Sequence, residues 1–327
     1  MSVNDFLNKH GWSMRGSVAQ DGSARRYFRV EKDSSTAILM EVMGDTPGHR
    51  IEDFIAIGSW LNDIGLNAPK IYEAQNNLLL LEDFDDLSFK DALVGGEDAG
   101  TLYGLASDVL KHLNTNDCPL SLPNYYDSHV HMGHRRMIDW FVPAQRKLKN
   151  PDGLAEEYLK IWAEIEAGLA PCAKGFMHID FHVQNLMWLP QESGVKRCGI
   201  LDFQGGMVGP AAYDLGNLLE DARINVSPDI RKSILAGYDE EFLAHYRVLT
   251  TQFHCRVIGQ FIKMALQTGK GEYLECIPRV GKYIDEALQD PLLKPLNEFL
   301  CDLKLDFMDI KMLNADEIKG YIRPDAY

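Results

Sequence analysis

Residues 177–188 read Met177-His178-Ile179-Asp180-Phe181-His182-Val183-Gln184-Asn185-Leu186-Met187-Trp188, and residues 199–203 read Gly199-Ile200-Leu201-Asp202-Phe203. Two histidines, an aspartate and an asparagine fall between residues 178 and 185, flanked by apolar runs. Asn185 to Leu189 and Lys196 to Phe203 read as two strands, and the turn-forming segment Pro190 to Gly194 makes them a hairpin. Phosphoryl transfer asks little covalent work of a protein. A group must orient the attacking hydroxyl and accept its proton, and divalent metal must neutralise the phosphate oxygens. The pattern H-x-D-x-x-x-x-N supplies Asp180 as the base and Asn185 as an oxygen ligand for Mg²⁺. Asp202, at the end of the facing strand, supplies a second hard oxygen ligand for the same ion.

Two other readings of this cluster stand beside that one. In an extended segment His178, Asp180 and His182 share one face at period two and could bind zinc, although that leaves Asn185 and the hairpin without a role. The two histidines could also position the backbone through hydrogen bonds, and for these residues support is the expected part, with Asp180 and Asn185 carrying the chemistry.

Outward from the hairpin, the chain changes texture once. Met14 to Ala19, Tyr27 to Val30 and Thr36 to Val42 read as strands, His49 to Ile64 as an amphipathic helix, and Leu78 to Leu81 as a buried strand. After the acidic stretch Glu82-Asp83-Phe84-Asp85-Asp86, helical spacing dominates. Helices are expected over Ser88–Asn114 with a break near Gly95-Gly96, Ser128–Lys149, Gly153–Leu169, Tyr213–Ala222, Pro228–Leu249, Thr251–Gln267 and Glu272–Leu288. The expectation is an α+β, two-lobed fold: a small β-rich N-lobe over residues 1–81, a connector over 82–87 and a larger, mainly helical C-lobe over 88–327. A cleft in such a layout suits a nucleotide.

Composition narrows the partners. A formal charge of −15 over 327 residues, without clustered Lys and Arg, argues against nucleic-acid binding. No apolar run reaches the length of a membrane span, and Met1 to Trp12 has no signal-peptide core. The six cysteines are scattered with no C-x-x-C pair, so a reduced, cytoplasmic protein is expected.

The segments HIDFHVQNLMWL and GILDFQGGMVGPAAYDLGNLLEDAR resemble the aminoglycoside phosphotransferase superfamily, a kinase-like fold that phosphorylates small molecules with ATP. Within it, DGSARRYFRV, LLLEDF and DFQ…GPAAYDLGNLLEDAR are most similar to the N-acetylmuramate and N-acetylglucosamine anomeric kinases of cell-wall recycling, in order from about Gly22 to Arg223. The resemblance implies ATP and Mg²⁺ as cofactors, Asp180 as base, Asn185 and Asp202 as metal ligands, Glu82 to Phe84 as the adenine-binding connector, and Asp214 as a structural aspartate. Aminoglycoside or choline acceptors are alternatives within the same fold. A nucleotide-binding module without turnover is an alternative from another class.

Several positions depart from related kinases. Only Gly22 remains of a glycine-rich loop, so phosphates would be held by amides of residues 21–24, the Ser23 hydroxyl and the paired Arg25 and Arg26, or that stretch is simply a solvated turn. Met40 stands where kinases carry the phosphate-pairing lysine, so Arg26, Arg29 or another cation would have to substitute. Ile179 replaces the arginine of H-R-D, which disfavours a phosphorylation-regulated protein kinase. Gln204-Gly205-Gly206 reads as a flexible turn where the sugar kinases carry a bulkier acidic pair. For the acceptor, Glu220 could take sugar hydroxyls and Arg223 a lactyl carboxylate, or both could be solvated helix charges; Trp140 could stack on a sugar or belong to the core.

Overall fold

The computed structural model describes residues 2–18, 25–43, 50–269, 271–310 and 313–327. They form two compact units, Met1–Leu122 with Gly175–Met207, and Pro123–Lys174 with Val208–Tyr327. The hairpin stretch thus packs with the N-terminal sheet, together with the helices between residues 88 and 122.

Helix α1 (Val3–His10) opens the chain on a capping box: Ser2 Oγ accepts from the Asp5 N–H at 3.2 Å while the Asp5 carboxylate accepts from the Ser2 N–H at 3.3 Å. Strands β1 (Ser13–Ser17), β2 (Arg25–Lys32) and β3 (Ser35–Val42), helix α2 (Ile51–Asp63), and strands β4 (Ile71–Gln75) and β5 (Leu78–Glu82) follow. The sheet is antiparallel in the order β1-β2-β3-β5-β4. Its two faces follow from register. Val30, Ala37, Leu39, Leu78 and Leu80 share one face and bury it against Phe6 and Leu7 of α1. Arg25 and Tyr27, opposite Val42 and Met40, lie on the other, because alternate residues of a strand point to opposite sides. Helices α3 (Phe89–Val94) and α4 (Ala99–Asn114) show the interruption expected at Gly95-Gly96; Gly96 turns at φ +96° and Asp98 caps α4 by accepting from the Thr101 N–H at 2.7 Å.

Beyond them come α5 (Val142–Arg146), α6 (Leu154–Ala167), β6 (Lys174–Met177), β7 (Leu186–Trp188), β8 (Cys198–Ile200), β9 (Met207–Pro210), α7 (Ala212–Leu219), α8 (Pro228–Leu235), α9 (Glu240–Thr268), α10 (Ile277–Ala287) and α11 (Lys294–Asp302). The single helix expected over Ser128–Lys149 is instead a series of short turns, with a π turn at Met137–Phe141 before α5. Pro143 explains this, since it donates no hydrogen bond and its ring crowds the carbonyl four residues back. The break expected between Leu249 and Thr251 is absent: α9 runs through it, with Thr250 and Thr251 buried and the Thr251 hydroxyl donating to the Arg247 carbonyl at 2.7 Å. Trp140 belongs to the apolar core of this unit with Phe141, Trp162 and Ile258, so it is not a sugar platform. Among the described residues no helix is long and apolar enough to cross a membrane.

The same core holds His134 against Tyr158 and Trp162, and burial first, then His131, pushes its pKa down to about 3. The neutral form is the native one, so this stabilisation is complete above the unfolded pKa of about 6.5 and is lost as pH falls from there toward 3. Thermal melts should lose midpoint steadily below about pH 6.5, and His134→Phe should flatten that acid slope; an unchanged slope would mean that His134 does not titrate as described.

Candidate active site

The stretch around Asp180 is a turn pinned at several points. Ile179 takes φ +78°, a left-handed conformation that β-branched residues avoid, while its side chain and that of Phe181 are buried. Asp180 between them is exposed, and among the described residues no hydrogen bond or ion pair engages its carboxylate. Residues 178–185 are bends and turns, so the period-two alignment that a zinc site of His178, Asp180 and His182 requires does not exist. Among the described residues no group of three or more His, Cys, Asp or Glu gathers as a metal site.

The histidines do support. His178 is buried, and burial lowers its pKa, with Asp202 and Asp180 partly opposing that shift. Its Nε2 lies 2.8 Å from the Leu201 carbonyl, which can only accept, so Nε2 carries the proton of a neutral ring. His182 Nε2 sits 3.3 Å from Asn185 Nδ2, and the same Nδ2 donates to the Asp180 carbonyl at 3.0 Å. The amide nitrogen is thereby turned to the loop. The backbone closes the set: Leu201 N–H donates to the Asn185 carbonyl at 2.9 Å, beyond the β7–β8 pairing of Leu186 with Ile200. Asp202 follows at once, at φ +57° and with its side chain 46% exposed. Gln204 Nε2 donates to its Oδ1 at 2.6 Å.

The turn expected to be flexible after Asp202 is a packed one. Gln204 is buried on Asp202, and a Cβ at Gly206 would overlap the Phe176 ring. Phe203 packs on α2, 4.7 Å from Phe54 between ring centroids.

The arginine pair divides. Arg25, only 2% exposed, has Nη1 3.6 Å from Asp202 Oδ1. Arg26 lies on the opposite face and donates from Nε to Glu41 at 2.9 Å. Arg29 grips the connector, giving Nε and Nη2 to the two Asp83 oxygens at 2.7 and 3.0 Å and both Nη atoms to Asp86 at 2.8 Å. Neither Arg26 nor Arg29 is therefore the cation near Asp202. Alternation held the signal: neighbours on one strand cannot both face one site. Phe84 of the connector packs on Met187, Leu189 and Leu201, and among the described residues its N–H has no partner. Glu82, two residues before it, spends its N–H on the Lys70 carbonyl at 2.8 Å. Ser23 and the turn 21–24 lie outside the described residues.

Asp214, Glu220 and Arg223 belong to the other unit. Asp214 is buried in the first turn of α7. Glu220 is buried too, where it accepts from the Tyr246 hydroxyl at 2.8 Å with Arg231 and Arg247 within 4.0 Å. That internal cage, invisible in local sequence, occupies the carboxylate that was expected to meet a sugar. Arg223 remains 35% exposed, beside Asp221 at 3.4 Å.

An antiparallel sheet whose connector leads to a hairpin bearing an acid, an amide and a second acid defines a kinase-like protein, one that moves phosphoryl groups. The phosphotransferase enzyme family matches residues 17–249, and the chain belongs to that family. It is 30% identical to an N-acetylmuramate/N-acetylglucosamine kinase of Caulobacter vibrioides over 89% of this chain and 93% of the relative. A protein of the same name from Pseudomonas putida is 26% identical over 92% and 93% of the two chains. The choline kinase LicA of Streptococcus pneumoniae shares the fold, with a TM-score of 0.58, 12% identity, and coverage of 88% of this chain and 98% of that one. The protein is thus a phosphotransferase that uses a nucleotide substrate.

Asp83 is 2% exposed and Arg29 is its cation. Arg29→Met should cost about 2–4 kcal/mol, because it strands a buried carboxylate, whereas Asp86→Asn, at an 81% exposed partner, should change stability little. Chemical denaturation of the two variants checks the contrast.

Proposed function

We propose that the chain is an ATP- and Mg²⁺-dependent kinase that phosphorylates a hydroxyl of an amino sugar of the N-acetylmuramate/N-acetylglucosamine type, in cell-wall recycling. The observation that carries this reading is the likeness, over about nine-tenths of each chain, to two kinases named for those sugars. The acid, amide and acid at 180, 185 and 202 support the chemistry.

The donor set fits magnesium: an amide oxygen and a carboxylate are hard ligands, and Asn185 has its nitrogen already committed to the Asp180 carbonyl. When bound, the ion supplies charge neutralisation for the triphosphate. The chain's own residues do the rest. Asp180, exposed and unpaired among the described residues, accepts the proton of the sugar hydroxyl. Phe84 offers its N–H to the adenine edge, with residues 82–87 as the connector. The six free thiols support a reducing, cytoplasmic setting.

Asp180→Asn should lower turnover by about 10²–10⁴-fold and leave ATP affinity nearly unchanged. ATP consumption measured against N-acetylmuramate, N-acetylglucosamine, choline and kanamycin should rank the amino sugars first. Preference for choline or kanamycin, or near-normal turnover in the Asp180 variant, would overturn the reading.

A further inference from the structure

We propose that Arg25 is the phosphate-positioning cation of this enzyme, standing in from strand β2 for the lysine that strand β3 lacks. The inference rests on the nucleotide reading above and adds the residue that makes it electrostatically workable.

Met40 is fully buried and apolar, so strand β3 brings no charge to the sheet face that holds Arg25. Kinases that carry a lysine there also carry a glutamate on the following helix to hold it. The buried residues of α2 are Phe54, Ile57, Gly58, Trp60 and Leu61, with no acid among them. The acids of its first turn are Glu52 and Asp53, and Asp53 is paired with Arg50 at 3.4 Å.

Arg25 has the required properties. It pairs with Val42 across the ladder, two positions from the Tyr27–Met40 pair, so it shares a face with Met40 at the diagonal cross-strand distance of about 7–8 Å between backbones. Its guanidinium reaches the Asp202 carboxylate at 3.6 Å, a charge contact longer than a hydrogen bond. Asp202 Oδ1 already has its hydrogen bond from Gln204. The Tyr27 phenol lies beside both groups; burial raises its pKa and Arg25 partly offsets that. Its guanidinium presents paired N–H donors that suit phosphate oxygens. In the nucleotide-free protein it offsets the charge of Asp202. With Asp202 given to metal, the same cation is placed for the phosphates beside it.

The test separates phosphate from base. Isothermal titration of the wild-type chain, Arg25→Lys, Arg25→Met and Arg25→Met/Met40→Lys should be run with ATP, with and without magnesium, and with adenosine. Arg25→Met should weaken ATP about 10- to 100-fold, the loss of one charge-assisted contact of about 1.5–3 kcal/mol, and leave adenosine unchanged. The double variant should recover much of the ATP affinity by returning a lysine to strand β3, and Arg25→Lys should lie between. Wild-type affinity for ATP in Arg25→Met, or equal losses for ATP and adenosine, would overturn the role of Arg25 alone. A wild-type chain that binds no ATP would instead overturn the nucleotide reading beneath it.

Discussion

The hydrogen bond from the Leu201 N–H to the Asn185 carbonyl, 2.9 Å long, is the constraint on which the site depends. It extends the β7–β8 ladder by one step and brings the residue before Asp202 against Asn185. His178 then fastens the following peptide by donating to the Leu201 carbonyl at 2.8 Å. With both polar groups of Leu201 committed, neither the amide at 185 nor the carboxylate at 202 can drift without breaking a largely buried bond. Buried hydrogen bonds of this kind are costly to lose, because each orphaned group keeps its desolvation penalty. The neutral state of His178 belongs to this arrangement, since burial disfavours the imidazolium despite two nearby aspartates.

The electrostatics of the first unit follow one rule: each inward arginine on β2 is assigned a different acid. Arg25 faces Asp202 and Arg29 faces Asp83 and Asp86. They stand four residues apart on one face of the strand, so the strand spans from Asp202 to the connector. Arg26, out of phase, is left to Glu41 on the other face. This division gives the sheet two roles. One face packs on α1 through aliphatic side chains, and the other carries fixed charge without requiring a lysine on β3.

Much of this was legible from residue order. The hairpin was readable because two apolar runs flank a turn-forming segment, and H-x-D-x₄-N sits at its start. The roles of His178 and His182 as supports followed from the same stretch. Other features depend on partners distant in sequence. Glu220 looked like a helix-surface acid, but Tyr246, Arg231 and Arg247 enclose it from elements 11 to 27 residues away. The continuity of α9 was hidden because Thr250 and Thr251 break the apolar rhythm while packing inside. Helix α1 carries its own signal in residue order, the Ser2–Asp5 box at its start and Gly11 at its end.

Ile179 ties the strain in the catalytic turn to its use. A β-branched residue held in the left-handed region costs on the order of 1–3 kcal/mol, and such a conformation persists only where its surroundings over-determine it. Here the surroundings do so: Ile179 and Phe181 are buried on either side of an exposed Asp180, and His178 and Asn185 fix the ends of the turn. In a regular strand, residues 179 and 181 would share a face and 180 would point the other way along an unbroken ladder, with its backbone groups paired to neighbours. The left-handed step instead bends the chain, frees the Asp180 carbonyl to accept from Asn185, and leaves the carboxylate in solvent. The left-handed step thus leaves one carboxylate of an otherwise buried stretch open to solvent, beside an amide whose nitrogen the Asp180 carbonyl holds.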